Sequence, residues 1–329
     1  MKNRNQKWIG DFIDYYFSFD SESRKIALEL KEKYIPEKLY RYRSFNPEKK
    51  DQTFKEITCQ ELFMAKATAL NDPFDCVGFC DMEKAIEKLP NDRIDDIIST
   101  FDILESVKEI PRNELISAIS GFRWLECIHR LMNKYCSDTD IKEMDKALLI
   151  IRITLENESY EIGRMAKDRT VICSFTETNT NMPMWNHYAS EYKGICIEYC
   201  MANFSKGSPN RNCMFPVEYR DELFDMSEYA SVYRKKIHPD LGLRIAICKH
   251  SDWQYEKEWR YAFDVEKCMD ITNGLFDQKV IFPAVSAVYM GYNIDKVHED
   301  KLAEICSERG IPLKKMQLGL NGVDFTNRC

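Results

Sequence analysis

Apolar residues near the start of the chain recur at helical spacing. Trp8, Phe12, Tyr15, Tyr16 and Phe19 predict one or two helices over 8–34. The run ends before Pro36, because the residue ahead of a proline is pushed out of the α region. The period then changes. KLYRYRSF (38–45) alternates as a strand does, with Leu39, Arg41 and Arg43 on one face and Tyr40 and Tyr42 on the other. LFMAK (62–66) reads as a second short strand, running into a turn at Asn71, Asp72 and Pro73.

Residues 81–168 have a different texture. Acidic and basic residues alternate, apolar positions keep helical spacing, and Pro90 and Pro111 punctuate the run. Three or four helices are expected there, as an insertion or helical lobe. Strand character returns at TVICSF (170–175), GICIEYC (194–200) and FPVEYR (215–220), and later at WRYAFDV (259–265) and VSAVYMGYN (285–293). These runs are rich in β-branched and aromatic residues. Between them, a helical stretch is expected from about 222 to 250. The last helix carries Ile294, Val297, Leu302, Ile305 and Cys306 on one face and stops at Gly310, and PLKKMQL resumes an extended run.

Strands and helices thus alternate without regular βαβ spacing. That predicts an α+β fold with a mixed, largely antiparallel sheet and a helical insertion at 81–168. A helical segment over 1–35 would precede a single α/β domain over 36–329. Neither GxGxxG nor GxxxxGK[ST] occurs, which argues against a Rossmann fingerprint and a P-loop.

Composition narrows the function classes. Across 329 residues, 44% are hydrophobic and 31% charged, as in an ordinary globular protein. A net charge of −7 argues against a general nucleic-acid binder, although a local basic groove is compatible with it. The 13 cysteines are odd in number and irregularly spaced. Many sit in apolar runs such as Ile172-Cys173 and Ile195-Cys196-Ile197, as small hydrophobes in a reducing compartment. Cys76 and Cys80 form CxxxC without a nearby His, so packed thiols are expected there rather than zinc, and no metal is expected. MKNRNQKWIGDFIDYYF shows no signal-peptide pattern, and no apolar stretch reaches the ~18–20 residues of a membrane span. The expectation is a cytoplasmic protein with no membrane partner.

Three polar-aromatic clusters are candidates for chemistry. In the first, Arg43 presents a planar fork suited to phosphate or carboxylate, or else pairs with Asp72 or Asp75 of NDPFD. The second spans 173–199. Ser174 and Thr176 share a strand face, and Trp185, His187 and Tyr188 lie between strands, where rings stack planar ligands and polar tips donate hydrogen bonds. The third is Lys249–Tyr261. If Glu256 to Arg260 is extended, Glu256, Glu258 and Arg260 share one face. Two adjacent carboxylates repel, so one pKa rises unless a cation such as Arg260 intervenes.

In this order, LYRYRS, NDPFDC, SFTE…MWNHYASEYKGICIEY and WQYEKEWRY closely resemble the pattern of a widespread bacterial family catalogued only as a domain of unknown function. The resemblance spans roughly 38 to 293, apart from 81–168, and implies a setting in mobile elements or phage defence. A fainter resemblance is to the Arg–Ser–Glu class of ADP-ribosyltransferases. It implies NAD as substrate. Arg43 would contact the phosphates or ribose, Ser174 and Thr176 would shape the nicotinamide pocket, and Glu258 would stabilise an oxocarbenium-like transition state while Glu256 orients the acceptor. The middle motif departs from that class, reading Ser-Phe-Thr rather than Ser-Thr-Ser.

The leading expectation is a transferase or glycohydrolase acting on NAD or a related nucleotide. Glu258, Glu256 and His187 would be its catalytic residues. Arg43, Ser174, Thr176, Trp185, Tyr188 and Arg260 would bind the ligand, and a protein or nucleic acid would serve as acceptor. One alternative is a metal-dependent phosphodiesterase built on Asp72, Asp75, His187, Glu256 and Glu258. Another is a non-catalytic ligand or partner sensor that uses 81–168 as its contact surface.

Overall fold

The structure, a computed structural model, describes residues 4–45, 52–70, 72–81, 98–99, 105–120, 123–227, 229–231, 236–267, 279–320 and 322–327. Asn71 and Pro90 lie outside the described residues. The chain forms two compact units, one of Met1–Cys76, Lys167–Glu222 and Ala246–Cys329, the other of Val77–Ala166 and Leu223–Ile245.

The first unit is built on one open sheet with nine described strands. They are β1 (Lys38–Arg43), β2 (Ala65–Lys66), β3 (Thr170–Thr176), β4 (Ile195–Cys200), β5 (Met214–Pro216), β6 (Glu258–Asp264), β7 (Val285–Met290), β8 (Leu313–Gly319) and β9 (Gly322–Asn327). Their order is β9-β8-β7-β4-β1-β3-β6-β5, with β2 also pairing β3. Neighbours are antiparallel except β7 and β8, which are parallel. The α+β architecture with a mixed, mostly antiparallel sheet is therefore present.

Side-chain alternation puts a core on each face. In β1, Leu39 enters the larger core with Phe175, Ile197, Tyr199 and Trp259. Tyr42 enters the other, with Trp185, Cys196 and Tyr289, and Tyr40 packs against it. This is the split that the two-residue period in 38–45 predicts. The amino-terminal helices Arg4–Tyr16 and Ser21–Glu32 belong to the same unit. Trp8 stacks on Tyr34 and on Trp259 of β6, and Phe12 meets Phe215 of β5, so these helices pack on the sheet. The helix Lys296–Arg309 starts at Asp295, whose side chain caps the His298 N–H, and ends at Gly310 with φ +64°. Its buried positions are Leu302, Ile305 and Cys306, whereas Val297, expected on that stripe, is exposed.

One irregularity of the sheet matters for function. β1 and β3 pair at a single position, Tyr40 opposite Thr176. Farther along the same edge, β2 pairs Ile172 and Val171. Between these points, β3 has no strand partner on that edge among the described residues, and the sheet is split.

In the second unit, the helices Arg112–Ile119 and Trp124–Tyr135 and the start of Asp138–Asp168 enclose their own core of Val107, Leu115, Ile119, Trp124, Ile128, Met132 and Leu148. The expected helical stretch at 222–250 is corrected. It contains short strands at Phe224–Asp225, Ala230–Ser231, Lys236–Ile237 and Cys248–His250, and its one described helix is Leu241–Ala246. Phe224 and Met226 are buried two apart, the strand period, and Pro239 interrupts the run. Among the described residues, no helix is long and apolar enough to cross a membrane.

Candidate functional site

A cleft of about 370 Å³ opens at the split between β1 and β3. It has a basic end and an end rich in carboxylates.

At the basic end, Arg41 and Arg43 share one carboxylate, the buried Glu56 on the helix Gln52–Thr58. Arg41 Nη1 donates to Glu56 Oε1 at 3.0 Å, and the Tyr199 hydroxyl donates to the same oxygen at 2.5 Å. Arg43 Nε lies 3.0 Å from Glu56 Oε2, within ion-pair distance, but the angle leaves its N–H without a hydrogen bond. Two guanidinium groups against one carboxylate leave a net positive charge. Arg43 thus pairs with neither Asp72 nor Asp75. A tight backbone approach fixes its place, since a Cβ on Gly194 would collide with the Arg43 carbonyl oxygen.

At the other end, the Glu256 and Glu258 carboxylates meet, but by a different backbone path from a continuous strand. Ser251–Glu256 is a 3₁₀ turn, Lys257 has φ +46°, and β6 begins at Glu258. Thr176 Oγ1 donates to the Glu256 carbonyl at 2.5 Å, fastening this turn to β3. The cation between the carboxylates is Lys249, not Arg260. Its Nζ is 2.6 Å from Glu256 Oε2 and 2.9 Å from Glu258 Oε2. Arg260, fully buried, donates Nε to Glu258 Oε1 at 2.9 Å and clasps both Asp75 oxygens through Nη2 at 2.9 and 2.7 Å.

These contacts separate the two acids. Burial raises the Glu256 carboxyl above its ordinary value, and Lys249 and Tyr188 offset this only in part. Burial also opposes charge on Glu258, but Arg260 and Lys249, with hydrogen bonds from Arg260 and Ser174, hold it well below the usual carboxylate range. Burial and the neighbouring Glu256 keep the Tyr188 hydroxyl protonated, and it donates to Glu256 Oε1 at 2.7 Å.

The helix Met182–Tyr188 delivers Tyr188. Asn181 caps it by accepting from Met184 N, and Asn181 Nδ2 donates to the Tyr255 carbonyl, tying helix to turn. On so short a helix, successive residues point about 100° apart, and the expected trio separates. Tyr188 lines the cleft. Trp185 is fully buried, its Nε1–H donates to the Asn179 carbonyl at 2.7 Å, and its ring meets Tyr42 edge-on, so it is a core residue and not a stacking platform. His187 is exposed and outside the cleft lining. Of the expected residues, Arg43, Ser174, Thr176, Tyr188, Glu256 and Glu258 converge on the cleft, and Arg260 stands behind it as the partner of Glu258 and Asp75.

Sequence reasoning gave no role to Lys249, Trp253 or Glu56. Lys249 and Trp253 line the cleft, with Lys249 Nζ 5.2 Å from the Trp253 ring centroid. Their place in the same polar-aromatic run as Glu256 was the available signal. Glu56 carried none. Among the described residues, no group of three His, Cys, Asp or Glu residues is arranged to hold a metal ion. Asp75, Glu256 and Glu258 are engaged by Lys249 and Arg260. Cys76 is buried, donates weakly to the Ala246 carbonyl and accepts from Arg260 Nη1.

No curated protein and no solved structure matches the chain. A domain of DUF2971, a protein family of unknown function, is found at residues 184–261, from the helix that bears Tyr188 through Lys249 and Glu258 to Tyr261 of β6.

Proposed function

We propose that the cleft binds NAD or a related nucleotide and breaks its glycosidic C–N bond, as a transferase or glycohydrolase of the ADP-ribosyltransferase type. The observation that carries this reading is the meeting of Arg43, Ser174 and Glu258 on three neighbouring strands, β1, β3 and β6, around one opening. The polarity of the cleft suits such a ligand. The net positive charge at Arg41 and Arg43 favours a pyrophosphate, which a guanidinium fork binds well. Tyr188 and Trp253 offer ring surface for a planar base.

When the C–N bond breaks, nicotinamide leaves with the bonding electron pair and the ribosyl carbon becomes cationic. Glu258 is ionised, buried and held by Lys249 and Arg260, so its charge is fixed before the reaction begins. Such preorganised charge stabilises developing opposite charge without reorganisation. Water or an acceptor hydroxyl then attacks the ribosyl carbon, and its proton passes to Glu256, whose carboxyl binds protons more readily than an ordinary glutamate. The acceptor is water, a protein or a nucleic acid.

Nicotinamide release from NAD, with and without cell extract as acceptor, tests this reading. Wild type should release nicotinamide. Glu258→Gln, with folding checked by circular dichroism, should be at least about a hundredfold slower, the scale for losing one preorganised electrostatic group. Binding without turnover by wild type would favour a sensor. A cleft that neither binds NAD nor releases nicotinamide would refute the proposal.

A further inference from the structure

We propose that Lys249 is the positioning residue of the cleft, setting the protonation state of Glu256 while Glu258 stays ionised without it. The role in turnover rests on the C–N cleavage reading, but the role in protonation does not.

The geometry is asymmetric. Lys249 lies on the short strand Cys248–His250, whose backbone pairs in parallel with Glu218–Arg220. Its ammonium is therefore placed from an element outside the Glu256–Glu258 segment. Glu258 accepts from Arg260 at both carboxylate oxygens, Nε to Oε1 at 2.9 Å and Nη2 to Oε2 at 3.2 Å, in addition to Lys249. Glu256 has two side-chain donors among the described residues, the Tyr188 hydroxyl on Oε1 and Lys249 on Oε2, and Lys249 is its one cation. Asp75 is 3.8 Å from Lys249 Nζ but is already clasped by Arg260. The other titratable groups facing this array, the Tyr219 and Tyr255 phenols and the buried Cys76 and Cys173 thiols, are neutral.

Removing the ammonium thus falls on one acid. Glu258 keeps a guanidinium, whereas Glu256 keeps a neutral hydroxyl in a buried site beside a second carboxylate. Burial and the like charge then favour its protonated form, opposed only by the Tyr188 hydrogen bond. A protonated Glu256 cannot take the proton of an attacking nucleophile. Lys249 binds no ligand atom in this scheme and acts through Glu256.

The test is carboxyl-carbon NMR titration of glutamate-labelled wild type, Lys249→Met, Lys249→Gln and Lys249→Arg. Glu256→Gln assigns the Glu256 resonance and Glu258→Gln that of Glu258. In Lys249→Met, the Glu256 resonance should titrate at least about one pH unit higher than in wild type, and Glu258 should still be ionised at neutral pH. Lys249→Gln, which keeps a donor without the charge and covers the case of a misfolded methionine variant, should shift in the same direction. Lys249→Arg should restore the wild-type midpoint. In nicotinamide release, the acid limb of the rate profile should move up with the same variants. An unchanged Glu256 midpoint in both charge-removing variants would overturn the proposal, as would a loss of Glu258 ionisation in its place. Absence of nicotinamide release by wild type would count against the cleavage reading alone, and the titration would still decide the role of Lys249.

Discussion

Replacing Glu56 with glutamine removes the carboxylate that Arg41 and Arg43 share. Glu56 is 1% exposed and has the Arg41 Nη1 and Arg43 Nε groups at 3.0 Å and the Tyr199 hydroxyl at 2.5 Å. Leaving a buried charge without its partner costs about 3–5 kcal/mol. The guanidinium groups are 13% and 21% exposed, so water recovers part of this, and a loss of about 3 kcal/mol is expected. The same change adds one unit of positive charge to the basic end. At an effective dielectric constant near 20 and a separation of ~8 Å, that attracts each unit of anionic charge by on the order of 2 kcal/mol. Solvent screening in an open cleft reduces this, so the affinity for pyrophosphate should rise about tenfold, equivalent to ~1.4 kcal/mol. Stability and anion binding should therefore move in opposite directions. Thermal melts with and without pyrophosphate, at low and moderate salt, measure both, because a ligand that binds the folded state raises the melting temperature. The gain in affinity should shrink as salt rises. A melting temperature equal to that of wild type would refute the reasoning. So would an affinity that falls together with stability, which would make Glu56 a geometric brace and not a counter-charge.

The other predictions follow from burial and backbone geometry. Trp185→Ala should cost about 3–5 kcal/mol by chemical denaturation yet leave the NAD affinity of the folded protein unchanged, because the ring is in the core. Glu191→Gly should raise stability by up to about 1 kcal/mol, since Ser190, Glu191 and Tyr192 have φ of 45°, 55° and 67° in succession; an unchanged or lower melting temperature would contradict this. Glu258 has a lowered folded pKa, so its contribution is fully present above its ordinary value of 4.5 and is lost as pH falls through the folded value. Wild type should therefore exceed Glu258→Gln in stability at pH 7 and lose much of that advantage toward pH 3, as read from melting temperatures at both.

The sheet was legible where its period was local. KLYRYR announces a strand with two different faces, and the structure sends Leu39 one way and Tyr42 the other. The 222–250 run was misleading: Phe224 and Met226 are buried two apart, the strand period, and the run breaks into short strands around one short described helix. Of the site, sequence marked the residue types that meet in the cleft but not the pairing among them. Glu56 is separated from Tyr199 by 143 positions, and no spacing rule joins them. The segment 182–188 put Trp185, His187 and Tyr188 together in sequence, but a helix turns each to a different direction, and only one of the three lines the cleft. Likewise, the Glu-x-Glu spacing suggested Arg260 as the intervening cation, whereas a lysine from a separate short strand occupies that place.

A crystal structure of the protein soaked with NAD or ADP-ribose would show whether the cleft is the nucleotide site. The pyrophosphate should lie against Arg43 and the nicotinamide-bearing ribose beside Ser174 and Glu258, between β1 and β3. Ligand density elsewhere, with the cleft unchanged, would refute nucleotide binding between β1 and β3.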